Sequence, residues 1–194
     1  MARKIIAFSL LLFHVFFLTQ CKQWFEALSE PLSETYSHII LPKTGQTQVY
    51  IAGDDGHYQM GAAWPSPRFI DNNDGTVTDR LTGLMWEKTS ASNHFKWNNA
   101  ITSRIAALNS SALGGYRDWR LPNIHELYSL VNFSDRNTAG WLAGQGINSN
   151  IAGVHHLSST SGENSVYTSY FPTNSYLNYF PLGNTYDFCV LAVR

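Results

Sequence analysis

The chain has 194 residues, of which 44% are hydrophobic, 14% aromatic and only 14% charged, with 13 basic against 14 acidic side chains. That is one domain's worth of sequence with a near-neutral balance and no run of like charge, which argues against a dedicated nucleic-acid binder. Two cysteines, Cys21 and Cys189, make no disulfide framework, so stability has to come from a packed core.

At the start of the chain, Arg3 and Lys4 precede an apolar run from Ile5 to Leu18 that only Ser9 and His14 interrupt. The run is shorter than the roughly 20 residues a bilayer span needs, so residues 1–20 read as a secretory signal. Cys21, directly after Leu18-Thr19-Gln20, resembles the lipobox of bacterial lipoproteins, in which the cysteine is lipidated and becomes the mature N-terminus. Gln20 stands where a small residue is usual, and an exported soluble protein with an incidental cysteine is the other reading. Loss of Arg3 and Lys4 would leave 11 basic against 14 acidic residues, a balance of −3. Residues 21–40 read as a tether, because Glu30-Pro31 and Ser33-Glu34 break any helix begun at Gln23.

The folded part is expected over residues 41–194. Val49 to Ala52 reads as a strand, followed by a turn at Gly53-Asp54-Asp55-Gly56. Trp64-Pro65-Ser66-Pro67 is extended, since each proline disfavours helix at the residue before it. Asp74-Gly75 predicts a two-residue hairpin and Thr82-Gly83 the next reversal, which gives three short strands. Trp97, Ala100, Ile101, Ile105 and Leu108 fall on one face of a helix from about Trp97 to Leu108. Asn123 can cap a second short helix whose buried stripe would be Leu121, Ile124, Leu127, Leu130 and Val131. From Asn132 onward no helical period is visible. Strands are expected around Val166–Phe171, Leu177–Phe180 and Phe188–Val193. The whole reads as α+β: small twisted antiparallel sheets, two short helices and a long loop-rich C-terminal half.

Taken in order, Pro42-Lys43-Thr44-Gly45-Gln46-Thr47, Trp64-Pro65-Ser66-Pro67-Arg68-Phe69, Asp71-Asn72-Asn73-Asp74-Gly75-Thr76-Val77-Thr78-Asp79, Thr82-Gly83-Leu84-Met85-Trp86 and Gly115-Tyr116-Arg117-Asp118-Trp119-Arg120-Leu121-Pro122 resemble the Lcl C-terminal domain family. That family is typified by the C-terminal domain of a bacterial collagen-like adhesin. The resemblance covers about residues 41–194 and implies a C-type-lectin-like fold in an exported or surface-anchored binding module. It further implies sulfated glycans as one ligand class, with adhesion as the outcome. Leu157-Ser158-Ser159-Thr160 stands where the family often has Trp-Ser-Ser-Thr, and a collagen-like stalk is absent from this sequence. Trp119-Arg120-Leu121-Pro122 with Glu126-Leu127 is also similar to an element of formylglycine-generating enzymes. That oxidase chemistry depends on active-site cysteines, and the folded part has Cys189 alone.

Several residue sets carry a chemical expectation beside a plain structural one. Asp71, Asn73, Asp74 and Asp79 offer the hard oxygens that suit Ca²⁺, and equally the backbone hydrogen bonds of tight turns; Asp54-Asp55 is a similar pair. Arg117, Arg120, Asp118 and Glu126 suit sulfate or carboxylate recognition through guanidinium forks, or a structural ion-pair cluster that pins a loop. Trp141, Tyr167, Tyr170, Tyr176 and Tyr179, with Tyr186, offer flat apolar faces with a polar edge for sugar rings or protein partners, although many of them would pack in the core. His155-His156 would point to opposite faces of a strand and make a poor zinc pair. There is no Gly-x-Ser-x-Gly elbow and no phosphate-cradling loop. The expectation is a non-catalytic module with no cofactor beyond a possible Ca²⁺, lipid-anchored at the outer membrane or cell surface. Its partner would be a glycan or cell-surface protein and not nucleic acid. The alternative is an envelope scaffold without an external ligand.

Overall fold

The computed structural model describes residues 41–91, 95–148, 155–170, 176–181 and 188–194, with the side chains of residues 98, 170 and 176–179 outside that description. The expected signal segment, the expected tether and Cys21 lie outside the described residues. The elements in chain order are a one-turn helix α1 (Asp55–Tyr58), strands β1 (Phe69–Asp71), β2 (Thr76–Asp79) and β3 (Met85–Glu87), and a continuous helix α2. Helix α2 comprises Trp97–Asn99, a π-helical stretch Ala100–Ile105 and Ala106–Ser111. Helices α3 (Ile124–Ser129) and α4 (Thr138–Gly144) precede strands β4 (His155–Gly162), β5 (Ser165–Tyr170) and β6 (Tyr176–Pro181). Two antiparallel sheets result, ordered β1-β2-β3 and β4-β5-β6. The fold is α+β.

In the first sheet Phe69 pairs with Asp79 and Asp71 with Val77, while Val77 faces Trp86 across β2 and β3. The expected two-residue turn at Asp74-Gly75 is a longer reversal. Asn73 (φ 60°) and Gly75 (φ 88°) carry the left-handed angles, and the Asn72 amide donates to the Thr76 carbonyl at 3.0 Å. Asp74 instead accepts from the Thr76 amide at 3.0 Å through its side chain, which is how a short carboxylate commonly closes a turn.

Helix α2 covers the expected span, but its buried face differs at one position. Ala100 (0% exposed), Ile105 and Leu108 point inward, whereas Ile101 is 41% exposed. The π stretch is the reason: wider winding puts residues five apart on one side, so Ala100 and Ile105 face the core together and Ile101 turns outward. Helix α3 is built as its sequence reads. Asn123 accepts from the Glu126 amide while Glu126 accepts from the Asn123 amide, a reciprocal capping box, and Leu121, Ile124, Leu127, Leu130 and Val131 are all buried.

The last residues join the two halves. Leu191 and Val193 belong to a core with Phe69, Val77, Trp86, Leu127, Leu130, Val131, Leu142 and Ile147. Phe188, Val190 and Ala192 belong to a second core with Ala100, Ile105, Leu108, Trp119, Leu121, Leu157 and Val166. Alternate residues of one extended segment therefore feed alternate cores, as the two-residue period of an extended chain requires. Its backbone bonds go to several partners: Phe188 with Phe95, Cys189 with β4, Ala192 with β3, and Val193 with Arg120. Isolated bridges replace the continuous strand expected over Phe188–Val193.

Candidate ligand-binding surface

The segment from Tyr116 to Pro122 presents the densest set of exposed charge among the sequence candidates. Its course is fixed from the inside. Trp119 and Leu121 are 2% and 4% exposed, so the residues between and before them face outward. Asn109 of α2 clamps the backbone from both sides, accepting from the Trp119 amide at 2.7 Å and donating to its carbonyl at 2.9 Å. The Trp119 indole N–H donates to the Leu113 carbonyl at 3.0 Å. Gly114 (φ 60°) brings the chain so near β2 that a Cβ would lie 2.8 Å from the Thr76 methyl. Arg120 then exchanges both backbone hydrogen bonds with Val193, at 2.9 and 3.0 Å.

Three guanidinium groups stand on this frame. Arg117 donates through one nitrogen to the Asn109 and Ser110 carbonyls, both at 2.9 Å, where a cation complements the C-terminal end of α2. Arg120 makes a two-pronged pair with Glu126 at 2.8 and 2.7 Å, and 48% of its side chain remains open to solvent. Arg194 pairs with Asp118 at 2.8 and 3.2 Å and lies 3.5 Å over the ring of Tyr116. Electrostatics follow the pairing. The Arg194 hydrogen bond holds the Asp118 carboxyl below its usual range. Glu126 is pushed up by partial burial, but Arg120 and the Asn123 amide outweigh that and leave it lowered. Glu126 in turn raises Arg120. Of the expected set, Arg120 pairs with Glu126, whereas Asp118 pairs with Arg194 and Arg117 bonds backbone carbonyls, so each cation has an intramolecular partner. Nothing in the local pattern marks Arg194 as a member, since its contacts with Asp118 and Tyr116 join the C-terminus to a segment at least 76 residues earlier.

The aromatic candidates separate. Trp141 is half-buried, its ring 5.6 Å from Trp64 and 5.8 Å from Phe69, in a stack that also holds the Arg68 guanidinium 4.5 Å from Trp64. Packing occupies it. Tyr167 is 39% exposed on β5. In the β5-β6 register Tyr167 pairs with Tyr179, and Tyr170 with Tyr176; the side chains of Tyr170, Tyr176 and Tyr179 lie outside the described residues, and Tyr186 lies outside them altogether.

The four oxygen donors proposed for Ca²⁺ are not brought together. Asp71 pairs with Lys88 and accepts from the Asn73 amide at 2.9 Å. Asp74 bonds Thr76, and Asn73 sits at the tip of the turn. Asp79 is fully buried against Arg68, with contacts of 2.9 and 2.7 Å, and also accepts from the Leu81 amide and the Thr82 hydroxyl at 3.0 Å each. Asp54 caps α1 through the His57 amide. Among the described residues no group of three or more His, Cys, Asp or Glu side chains is placed to hold a metal. His156 is buried and His155 half-buried, on successive positions of β4. Burial pushes His156 down to about 3, so it is neutral at physiological pH.

The sequence singled out neither member of one further buried pair. Glu87 is 1% exposed, takes the Ala192 amide at 2.8 Å and pairs with Arg104 of the π stretch. Desolvation, partly offset by Arg104, raises it to about 7. Its oxygens are spent inside the protein, on holding the C-terminal segment.

Fold and surface together define an α+β domain whose exposed chemistry is cationic and aromatic and sits on a rigid loop. The family model for the Lcl C-terminal domain matches residues 75–194, and the chain belongs to that family. No curated protein and no solved structure matches the chain.

Proposed function

We propose that this protein is an exported, lipid-anchored bacterial surface module that binds an anionic glycan or cell-surface ligand without catalysing a reaction. Its folded part is C-type-lectin-like, and Cys21 is the anchored residue. The observation that supports the reading is the Arg194 guanidinium over the exposed Tyr116 ring, with Arg117 and Arg120 on the same short segment, whose backbone Trp119, Leu121 and Asn109 hold. Guanidinium forks match sulfate and carboxylate oxygens, and a tyrosine face accepts a sugar ring. An array of sulfated, carboxylated and neutral glycans, read with and without chelator, tests it. Binding of anionic glycans by the wild type, lost in Arg117→Ala/Arg120→Ala at unchanged folding, is the expected outcome.

One observation favours an envelope scaffold with no external ligand: every one of these arginines already has a protein partner. A ligand anion must then compete with Asp118 and Glu126. Absence of binding to any glycan on the array would leave the scaffold as the reading. Fatty-acid labelling of the wild type against Cys21→Ala tests the anchor, and an unlabelled wild type removes it.

A further inference from the structure

Large apolar side chains that stand exposed crowd between positions 41 and 60. They are Leu41 (74%), Val49, Tyr50, Ile51 (72%), Tyr58 and Met60 (73%). The segment carrying them is tightly ordered from within. The Asp54 carboxylate accepts from the amides of Tyr50 (2.9 Å), Ile51 (3.3 Å) and His57 (3.1 Å) and from the Gln46 side chain (2.9 Å). Asp55 takes the Thr44 hydroxyl. A Cβ on Gly56 would come within 2.2 Å of the Gln48 carbonyl, so the two sides of the loop are in contact. Lys43 and Ala62 exchange with the neighbouring backbone at 3.0 and 2.9 Å, which sets Leu41 beside the stretch that follows Met60. The Asp54, Asp55 and Gln46 side chains are engaged within the loop, and large apolar side chains stand exposed around it, unlike an ordinary surface loop.

We propose that this face docks onto the surface of the lipid bilayer, an inference that rests on the lipid anchor proposed above. The covalent path favours that occupant. Between Cys21 and Leu41 the chain can extend at most about 70 Å, and the apolar face is the first part of the domain it reaches. Tethering at that length gives a high effective concentration of bilayer, so docking that is weak on its own becomes populated. Composition agrees. Tyrosine and aliphatic side chains suit the headgroup boundary, and the loop's own hydrogen bonds satisfy the backbone groups that a lipid surface cannot. Residues 41–60 carry Lys43 against Asp54 and Asp55, so attraction to anionic lipid contributes nothing. No helix among the described residues is long and apolar enough to cross a membrane, which makes the contact interfacial.

The test uses the protein processed and lipidated at Cys21, reconstituted on phosphatidylcholine vesicles, with an environment-sensitive dye on Ile51→Cys or, as control, on Ile70→Cys of β1. Cys189 is buried and does not compete for the dye. The dye at position 51 is expected to shift to the blue and to be quenched by brominated lipid, and the dye at position 70 is not. Tyr50→Ser/Ile51→Ser/Met60→Ser is expected to weaken vesicle binding of an unlipidated Cys21→Ala chain that lacks residues 1–20 by at least about tenfold. A lipidated protein that floats with vesicles while the dye at position 51 still reports water overturns the docking and leaves the anchor standing. If Cys21 carries no fatty acid, the anchor fails. The unlipidated chain then decides the docking alone: flotation lost in the triple variant supports it, and no flotation overturns it. A dimer in lipid-free buffer that the triple variant abolishes would assign the face to a second copy and overturn it as well.

Discussion

Substituting Asp79 separates the metal and the structural readings of the acidic turn most sharply. The side chain of Asp79 is 0% exposed and that of its partner Arg68 3%. Strand alternation explains the location: Asp79 lies two positions from Val77 on the inward face of β2, where an ionised carboxylate requires a partner. Arg68 supplies two charge-assisted bonds and spends a third donor on the Ser129 carbonyl at 2.8 Å, which ties the sheet to the end of α3. Asp79→Ala leaves that guanidinium buried and uncompensated and orphans the Leu81 amide. The expected loss is about 3–5 kcal/mol, a large part of the roughly 5–15 kcal/mol that stabilises a typical domain. Chemical denaturation at constant m-value measures it, with and without chelator. Because no metal set is built here, chelator should leave the wild-type midpoint where it is. Arg68→Met/Asp79→Leu should be less damaging than Asp79→Ala, since it removes both charges from the interior. A loss under about 1 kcal/mol, or a chelator effect as large as the substitution, would refute the reasoning.

Glu87 gives a pH prediction of defined sign. Its folded value of about 7 lies above the ordinary 4.5, so the folded state holds a proton that the unfolded state has released, and this group's contribution falls as pH rises from 4.5 to 7. The whole effect is at most about 3 kcal/mol. His156, lowered to about 3 by burial, acts in the opposite sense between about 3 and 6.5, so the readout is the difference between wild type and Glu87→Gln. The Gln variant should gain on the wild type as pH rises through that window, and a gap that stays constant or narrows would contradict it. Asn123→Ala removes half of the α3 capping box and should cost about 1 kcal/mol by thermal denaturation. Gly114→Ala imposes a left-handed alanine, worth about 1–2 kcal/mol, before any cost of the contact with Thr76, and circular dichroism melts would show the sum.

What could be read from the sequence follows how local each cause is. The cap and stripe of α3 lie within a dozen residues, and all of them are where the pattern put them. Helix α4 is absent from the reading because Gly140 and Gly144 erase its period, and what holds it is the Asn137 cap and the burial of Leu142. Val49 to Ala52 has strand composition, but among the described residues no strand pairs with it; Asp54 draws the Tyr50 and Ile51 amides to itself instead. Strand β4 hides behind its serines and threonines. Ser158 is buried because its hydroxyl donates to the Tyr167 carbonyl at 2.7 Å, a partner on another strand. The same holds at the surface. Arg120 with Glu126 is a six-residue relation that the sequence suggests, whereas Arg194 with Asp118 spans 76 residues and is set by the course of the C-terminal segment.

That course also bears on how the cationic loop would serve the proposed recognition. Val193 pairs with Arg120 on one side while Trp86 lies on the other, and its side chain enters the first core as Ala192 enters the second. Arg120 is therefore fixed by backbone bonds to the most buried segment of the protein, between two anchors, Trp119 and Leu121, that cannot move without opening a core. A ligand meeting Arg117, Arg120 and Tyr116 encounters groups whose backbone order has already been fixed in folding, which lowers the entropy lost on binding. Asp118 is 64% exposed, so water can take over from it when an anion displaces it, whereas Glu126 is 16% exposed and also accepts from the Asn123 amide. An anion at this surface would thus displace Asp118 more readily than Glu126, whose two-pronged pair with Arg120 is part of the α3 cap. Under the proposed function, preorganisation by the cores and the exposure of Asp118 would let this loop exchange an internal partner for an external one.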